Sequence, residues 1–140
     1  MSALRRTDLQ ARAQSITESA ILLVKNHRWS DAYYLAGYAV ELGLKACIAK
    51  QLSPETIPDK EFLKNILKHE FDLLIGLAGL RQELKEELRG DSVFAANWAI
   101  VGEWSTDRRY EAVDPTSAQL FVSAVADSNS GVLEWIKRFW

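Results

Sequence analysis

The sequence predicts an all-α fold, an up-and-down bundle of four or five helices that forms a single domain over residues 1–140. Along most of the chain, apolar residues recur every three or four positions, which is the spacing of one helix face. The chain holds only three prolines and seven glycines, too few to supply the turns of an all-β fold. We therefore expect helices joined by short links.

The first two predicted helices are the most regular segments. The first runs from about Thr7 to Asn26, with one apolar stripe: Leu9, Ala13, Ile16, Ala20, Leu23 and His27. The second runs from Trp29 to about Gln51 and is apolar nearly all round, so we expect it at the centre of the bundle. Its small residues allow a neighbour to approach: Ala36, Ala39, Gly43 and Ala46.

The middle of the chain is predicted as a linker followed by two helices. Leu52–Pro58 contains two prolines, which interrupt helical hydrogen bonding. A short helix is expected after Asp59, and a further helix from about Glu70 as far as Gly90.

The last third is predicted as a short helix, an exposed loop and a long final helix. The short helix covers about Phe94–Val101. The final helix starts near Pro115 and runs to Phe139, because apolar residues keep helical spacing over that whole range. Asn129 falls within this apolar seam, where a polar group needs a partner.

Composition limits the classes of function and location. The 17 Lys and Arg against 19 Asp and Glu give a net charge of −2, which argues against broad, sequence-independent nucleic-acid binding but allows a local basic patch. The single Cys47 excludes an intrachain disulfide and suits a reducing compartment. No apolar run is long enough to span a membrane and no signal peptide is visible, so we expect a cytoplasmic protein.

No cofactor or metal site is predicted. The two histidines lack the spacing and neighbouring ligands of a zinc site. The sequence contains no glycine-rich phosphate loop and no nucleophile elbow. Cys47 lies within an apolar helix, where we expect a buried and unreactive thiol.

Glu41 is the first candidate polar site, on a stripe of the second helix with Tyr34, Tyr38 and Lys45. One interpretation is a solvated Glu–Lys pair of the i,i+4 type, worth about 0.2–0.5 kcal/mol. The other is a partly buried carboxylate bonded to Lys45, to a tyrosine hydroxyl or to His69, which fixes helix packing.

Arg108-Arg109-Tyr110, with Trp104 before it, is the second candidate. These residue types can bind an anion and stack on a base or another aromatic group. The alternative is a surface loop in which one arginine pairs with an acidic neighbour, namely Asp107, Glu111 or Asp114.

Several of these segments together resemble one known family. Residues 29–46 (WSDAYYLAGYAVELGLKA) resemble the core signature of HEPN (higher eukaryotes and prokaryotes nucleotide-binding) domains. Residues 68–74 (KHEFDLL) are similar to the histidine motif of that family, Arg108-Arg109-Tyr110 to its Arg-Tyr element, and residues 131–136 (GVLEWI) to its final helix. The resemblance covers about residues 15–140.

The second helix is too apolar for one small bundle, which predicts that it contributes to the interface of a homodimer. The resemblance implies a helical, commonly dimeric bundle with a link to nucleotides or RNA, so we expect it to bind a nucleotide, RNA or a partner protein. It also implies a link to toxin–antitoxin or defence systems and to a nucleotidyltransferase-like partner. Many members are ribonucleases with a histidine four to six residues after an arginine, a motif that this chain lacks. We therefore expect a non-catalytic module whose ligand-binding residues are Arg108, Arg109, Tyr110, His69, Glu41, Lys45 and Trp104.

Two alternatives belong to other classes of function. The first is a divergent, metal-independent ribonuclease in which His69 is the base and Arg109 balances the phosphate charge. The second is a purely structural protein-interaction module paired with a nucleotidyltransferase-like partner.

Overall fold

In the computed structural model of the protein, residues 4–140 are described, except for the side chain of Arg109. Over this range all regular elements are helical: eight α-helices and one short 3-10 helix. The prediction of an all-α bundle is confirmed, although the helices outnumber the four or five expected. No helix of residues 4–140 has both the length and the apolar character needed to cross a membrane.

The elements follow one another with short connections. In chain order they are α1 (Arg6–Lys25), α2 (Trp29–Lys50), α3 (Lys60–Asn65), α4 (Phe71–Leu77), α5 (Arg81–Gly90), α6 (Ser92–Val101), the 3-10 helix (Thr106–Tyr110), α7 (Pro115–Ala126) and α8 (Val132–Lys137). The first two predicted helices therefore agree with α1 and α2 to within one residue at each end.

Helix α2 lies at the centre, as its composition predicts. It packs against α1, α4, α7, α8 and the 3-10 helix. Gly43 lets α8 approach closely, since a Cβ atom there would stand 3.1 Å from Ile136 and 3.3 Å from Leu133. No residue of α2 is among the exposed large apolar side chains of the described chain. The chain itself covers the apolar surface of α2, which therefore gives no support to a dimer interface on this helix.

The helix predicted from Glu70 to Gly90 is interrupted. Helix α4 ends at Leu77, and Gly79 adopts a φ of +72°, a backbone conformation that glycine reaches without a Cβ clash. The N–H of Leu80 donates to the carbonyl of Ile75, which closes the end of α4 before α5 begins at Arg81.

The predicted final helix is also two helices. Between α7 and α8, the Asp127 carboxylate accepts a hydrogen bond from the Ser130 N–H at 2.6 Å, and the Ser130 hydroxyl donates to Asp91 at 2.7 Å. Asn129 is exposed in this turn, so its predicted place in an apolar seam is wrong. A Cβ atom at Gly131 would overlap the backbone of Asp127, so the turn requires glycine there.

Asp91 connects this turn to α6. Its carboxylate accepts hydrogen bonds from the N–H groups of Val93 and Phe94, both at 3.0 Å, and so caps the first turn of α6. The hydrogen bonds from Phe94 and Ser130 lower the pKa of Asp91 below its ordinary value. One side chain therefore fixes the start of α6 and the link from α7 to α8.

Candidate functional site

The carboxylate of Glu41 is buried in the middle of α2 and is fully engaged. Glu41 is 3% exposed. One of its oxygens accepts a hydrogen bond from Lys45 Nζ at 3.2 Å, and the other lies 2.7 Å from His69 Nδ1. Lys45 reaches it because residues four apart lie on the same helix face. Of the two interpretations of Glu41, the structure has the buried one, bonded to Lys45 and His69.

His69 is held by this carboxylate but stays open to solvent. It lies directly before Glu70, the N-cap of α4, and its side chain is 52% exposed. A carboxylate only accepts hydrogen bonds, so Nδ1 carries the proton that is donated to Glu41. In the neutral ring, Nε2 is then an acceptor. The arrangement fixes an imidazole in one orientation, which suits either ligand binding or proton transfer.

Trp104 lies in the core rather than on a binding surface. It is 6% exposed and stacks on Phe71 with ring centroids 5.3 Å apart and planes at 5°. Tyr34 packs beside it at 5.6 Å. A base could stack on the indole only by displacing these rings, so the structure does not support the predicted ligand contact of Trp104. Among the described residues, its buried Nε1 has no hydrogen-bond partner.

Gly37 and Phe71 position the site, although neither was predicted as a site residue. A Cβ atom at Gly37 would overlap the indole of Trp104, so only glycine lets this ring lie directly on α2. Phe71 stacks on the same indole two residues after His69. The indole of Trp104 therefore contacts both Phe71, at the start of α4, and α2 at Gly37. These contacts hold the start of α4 and the segment before the 3-10 helix against one face of α2. In the sequence, Gly37 stands inside a helical pattern, and a glycine in that position indicates that a neighbouring group packs closely there.

The arginine segment forms the 3-10 helix at the surface. Arg108 forms an ion pair with Glu111 at 2.9 Å. For this residue the structure therefore has the alternative in which an arginine of a surface segment pairs with an acidic neighbour. Tyr110 is 78% exposed. The backbone of Arg109 belongs to the 3-10 helix, and its side chain is outside the described part of the structure.

Arg108 and His69 are placed along different parts of α2. Arg108 shares the walls of two cavities with Tyr33 and Tyr34, near the start of the helix. His69 is bound at Glu41, seven residues further along than Tyr34. With a rise of 1.5 Å per residue, this separation is about 10 Å along the helix axis. The parts of α2 next to the two side chains are therefore about two helical turns apart.

Comparison with known proteins gives no relative: no family model, no curated protein and no solved structure matches the chain. Over the described residues, no group of three or more His, Cys, Asp and Glu side chains is arranged to hold a metal ion.

Proposed function

We propose that the protein is a HEPN-like helical module that forms a homodimer and binds RNA through its phosphates without cleaving it. The segments that resemble the HEPN motifs are packed together, which supports this proposal. His69 is hydrogen-bonded to Glu41 of α2, and Phe71 is stacked on Trp104, four residues before Arg108. By the same resemblance, the natural context is a toxin–antitoxin or defence system with a nucleotidyltransferase-like partner.

The observation that carries the proposal is the half-exposed imidazole of His69, which Glu41 holds in one orientation. A strand of RNA presents successive phosphates, so it can contact both His69 and the 3-10 helix that carries Arg108 and Arg109. The sequence has no histidine four to six residues after an arginine, which supports binding without cleavage.

A second candidate function is a divergent, metal-independent ribonuclease that uses His69 and Arg109. The hydrogen bond from His69 Nδ1 to Glu41, 2.7 Å long, favours it. This bond orients the ring and leaves Nε2 to accept a proton from a 2′-hydroxyl. In that mechanism Glu41 holds the base in position and Arg109 balances charge on the phosphate.

The test measures RNA binding and cleavage in the same samples. End-labelled single-stranded and structured RNA are incubated with wild type, His69→Ala and Arg109→Ala at low salt. We expect binding without cleavage and a loss of affinity of about fivefold or more in Arg109→Ala, because one phosphate contact is removed. The matched control is Arg89→Ala, an exposed arginine on α5, which should bind as wild type does.

Each other outcome decides against the proposal. Cleavage by wild type that is lost in both His69→Ala and Arg109→Ala establishes the ribonuclease instead. If Arg89→Ala and Arg109→Ala lose the same affinity for RNA, the RNA is held only by non-specific attraction to positive charge and not by a site at Arg109. No binding at low salt to either RNA rejects RNA as the ligand.

A further inference from the structure

Trp29 is a half-buried tryptophan that does not pack against the hydrophobic core of the described residues. It is the first residue of α2, where the chain turns from α1 into α2. The other tryptophans belong to the core or pack against it: Trp98, Trp104, Trp135 and Trp140. The Trp29 ring instead stacks on His27, with centroids 5.1 Å apart and planes at 18°. Packing of the core therefore does not account for this large, flat side chain.

His27 is exposed and has an unusual backbone conformation. Its φ of +60° lies in the left-handed region, where glycine is the usual residue at the end of a helix. The Arg28 N–H donates to the carbonyl of Leu23 at 2.9 Å, so this conformation closes the end of α1. Among the described residues, the imidazole forms no hydrogen bond and no ion pair. The exposed ring therefore stacks on Trp29 and keeps both nitrogens available to a ligand.

The two stacked rings line a cavity that adjoins the arginine segment. The cavity has a volume of about 240 Å³, and Ser30, Asp31 and Val113 also line it. A neighbouring cavity shares Ser30 and Asp31 and has Arg108 in its wall. The Val113 N–H donates to the Ser30 hydroxyl at 3.0 Å, which holds the segment after the 3-10 helix against the start of α2. The rings and the 3-10 helix are therefore neighbours on the surface.

We propose that His27 and Trp29 form a stacking platform for one base of a single-stranded RNA. This inference rests on the proposed function, in which the 3-10 helix contacts RNA phosphates. Every base has a flat π face, so a base can extend a stack of two nearly parallel rings. In a duplex the bases are already stacked on one another, so the platform selects a single strand.

Two polar side chains beside the platform can contact the edge of the bound base. Arg28 and Asp31 form an ion pair at 3.0 Å, and both side chains are more than half exposed. An exposed pair of this kind contributes little free energy, so a base can replace either partner. The guanidinium donates hydrogen bonds and the carboxylate accepts them, which matches the mixed donors and acceptors of a base edge.

The test compares a short adenylate strand with the same ribose phosphate strand without bases. Both carry a fluorescent label, and their binding to the full chain is followed by fluorescence anisotropy at low salt. We expect wild type to bind the adenylate strand about fivefold or more tightly than the strand without bases, because a base stack adds affinity. Trp29→Ala should bind the two strands alike, whereas Trp29→Phe keeps an aromatic ring and should restore most of the difference.

Two further variants separate stacking from other effects. His27→Gly removes the imidazole but suits a φ of +60°, so the turn is kept while affinity for the adenylate strand falls about threefold. Val93→Ala, which shortens an exposed apolar side chain on α6, is the control and should bind as wild type does. Trp29→Ala should leave the salt dependence of binding unchanged, whereas Arg109→Ala should reduce it, because only the arginine neutralises a phosphate.

The outcomes distinguish the platform from the proposed function. Equal affinity of wild type for the two strands rejects the platform and leaves phosphate binding in place. A preference for the adenylate strand that survives in Trp29→Ala also rejects the platform. If neither strand binds, the proposed function fails and the platform fails with it. A preference that requires Trp29 but is unchanged in Arg109→Ala supports the platform and rejects the arginine contact of the proposed function.

Discussion

At the scale of single residues, Glu41 shows how one carboxylate organises two neighbours. A buried carboxylate is tolerated only when its oxygens are bonded, and Lys45 and His69 bond one oxygen each. The side chain of Lys45 is 14% exposed and that of His69 is 52% exposed. Lys45 therefore depends on Glu41 as its counter-charge. The half-exposed His69 can instead replace its hydrogen bond to Glu41 with a hydrogen bond to water.

We predict that Glu41→Gln lowers the free energy of unfolding by about 1–3 kcal/mol, because it removes the counter-charge of a nearly buried Lys45. His69→Ala should cost less, roughly 0.5–1 kcal/mol, since water can replace its bond to the carboxylate. Urea denaturation at pH 7 measures both values. Glu134→Gln, which removes the partly exposed partner of Lys137, is the control and should change stability by less than about 0.5 kcal/mol. Equal costs for Glu41→Gln and the control would show that burial of Glu41 is unimportant.

The Cys47 thiol should be unreactive in the folded protein. It is 1% exposed, and burial raises its pKa to about 11. Thiolates react and thiols do not, so labelling with a disulfide reagent at pH 8 should require unfolding. The unfolded chain loses this proton near pH 8.5, earlier than the folded chain, so stability should fall as the pH rises from about 8.5 towards 11. Rapid stoichiometric labelling without denaturant would contradict the prediction, and the same reaction in urea checks that the reagent is active.

At the scale of elements, the limits of sequence prediction are set by turn chemistry. Helices α1 and α2 follow from apolar periodicity, which nothing interrupts. The periodicity also continues through Gly79 and through residues 127–131, yet the chain breaks at both places. There the backbone forms its own local hydrogen bonds, and the Asp-Ser-Asn-Ser-Gly run contains the residue types that favour them. The signal was present, but it competed with a longer periodic pattern.

Gly37 gives the sharpest test of how the elements pack. In Gly37→Ala the new Cβ atom would overlap the rigid indole of Trp104, so either the ring or α2 has to move. We expect a loss of about 1–3 kcal/mol in the free energy of unfolding, together with altered tryptophan near-ultraviolet circular dichroism.

Gly90→Ala is the matched control for that substitution. Gly90 is the last residue of α5, and no heavy atom lies within 4 Å of a Cβ atom placed there. Alanine should stabilise this helix end by up to about 1 kcal/mol. If Gly37→Ala is as stable as Gly90→Ala, the indole is not seated on α2 as described.

At the scale of the whole molecule, part of the candidate site could be predicted from the sequence. For Glu41 two interpretations stood open: a solvated pair with Lys45, or a buried carboxylate bonded to Lys45, to a tyrosine hydroxyl or to His69. Helix spacing predicts the contact with Lys45, whereas His69 was one of several possible partners. The burial of Trp104 was not predicted, since an aromatic residue in an irregular segment carries no periodic signal of which way it faces. Its environment depends on Gly37 and Phe71, which are distant in sequence and come together only in the folded chain.

We propose that the homodimer forms through the groove between α1 and α7, an apolar surface that the single chain leaves uncovered. It has a volume of about 490 Å³ and is lined by Ile21, Val24, Val122 and Ala126, with Lys25 and Asp127 also present. Ile21 is 37% exposed, and Leu22 beside it is 61% exposed.

We predict that Ile21→Glu weakens this dimer at least tenfold, because it puts a charge into an apolar contact that is desolvated on association. Sedimentation velocity across a dilution series measures the shift from dimer to monomer. The control is Ile57→Glu, at a side chain 94% exposed in the linker between α2 and α3, which lies outside the groove and should leave association unchanged. A wild-type chain that stays monomeric at every concentration contradicts the homodimer. A dimer equally stable in both variants places the interface on another face, and then the exposed α1 surface has no part in assembly.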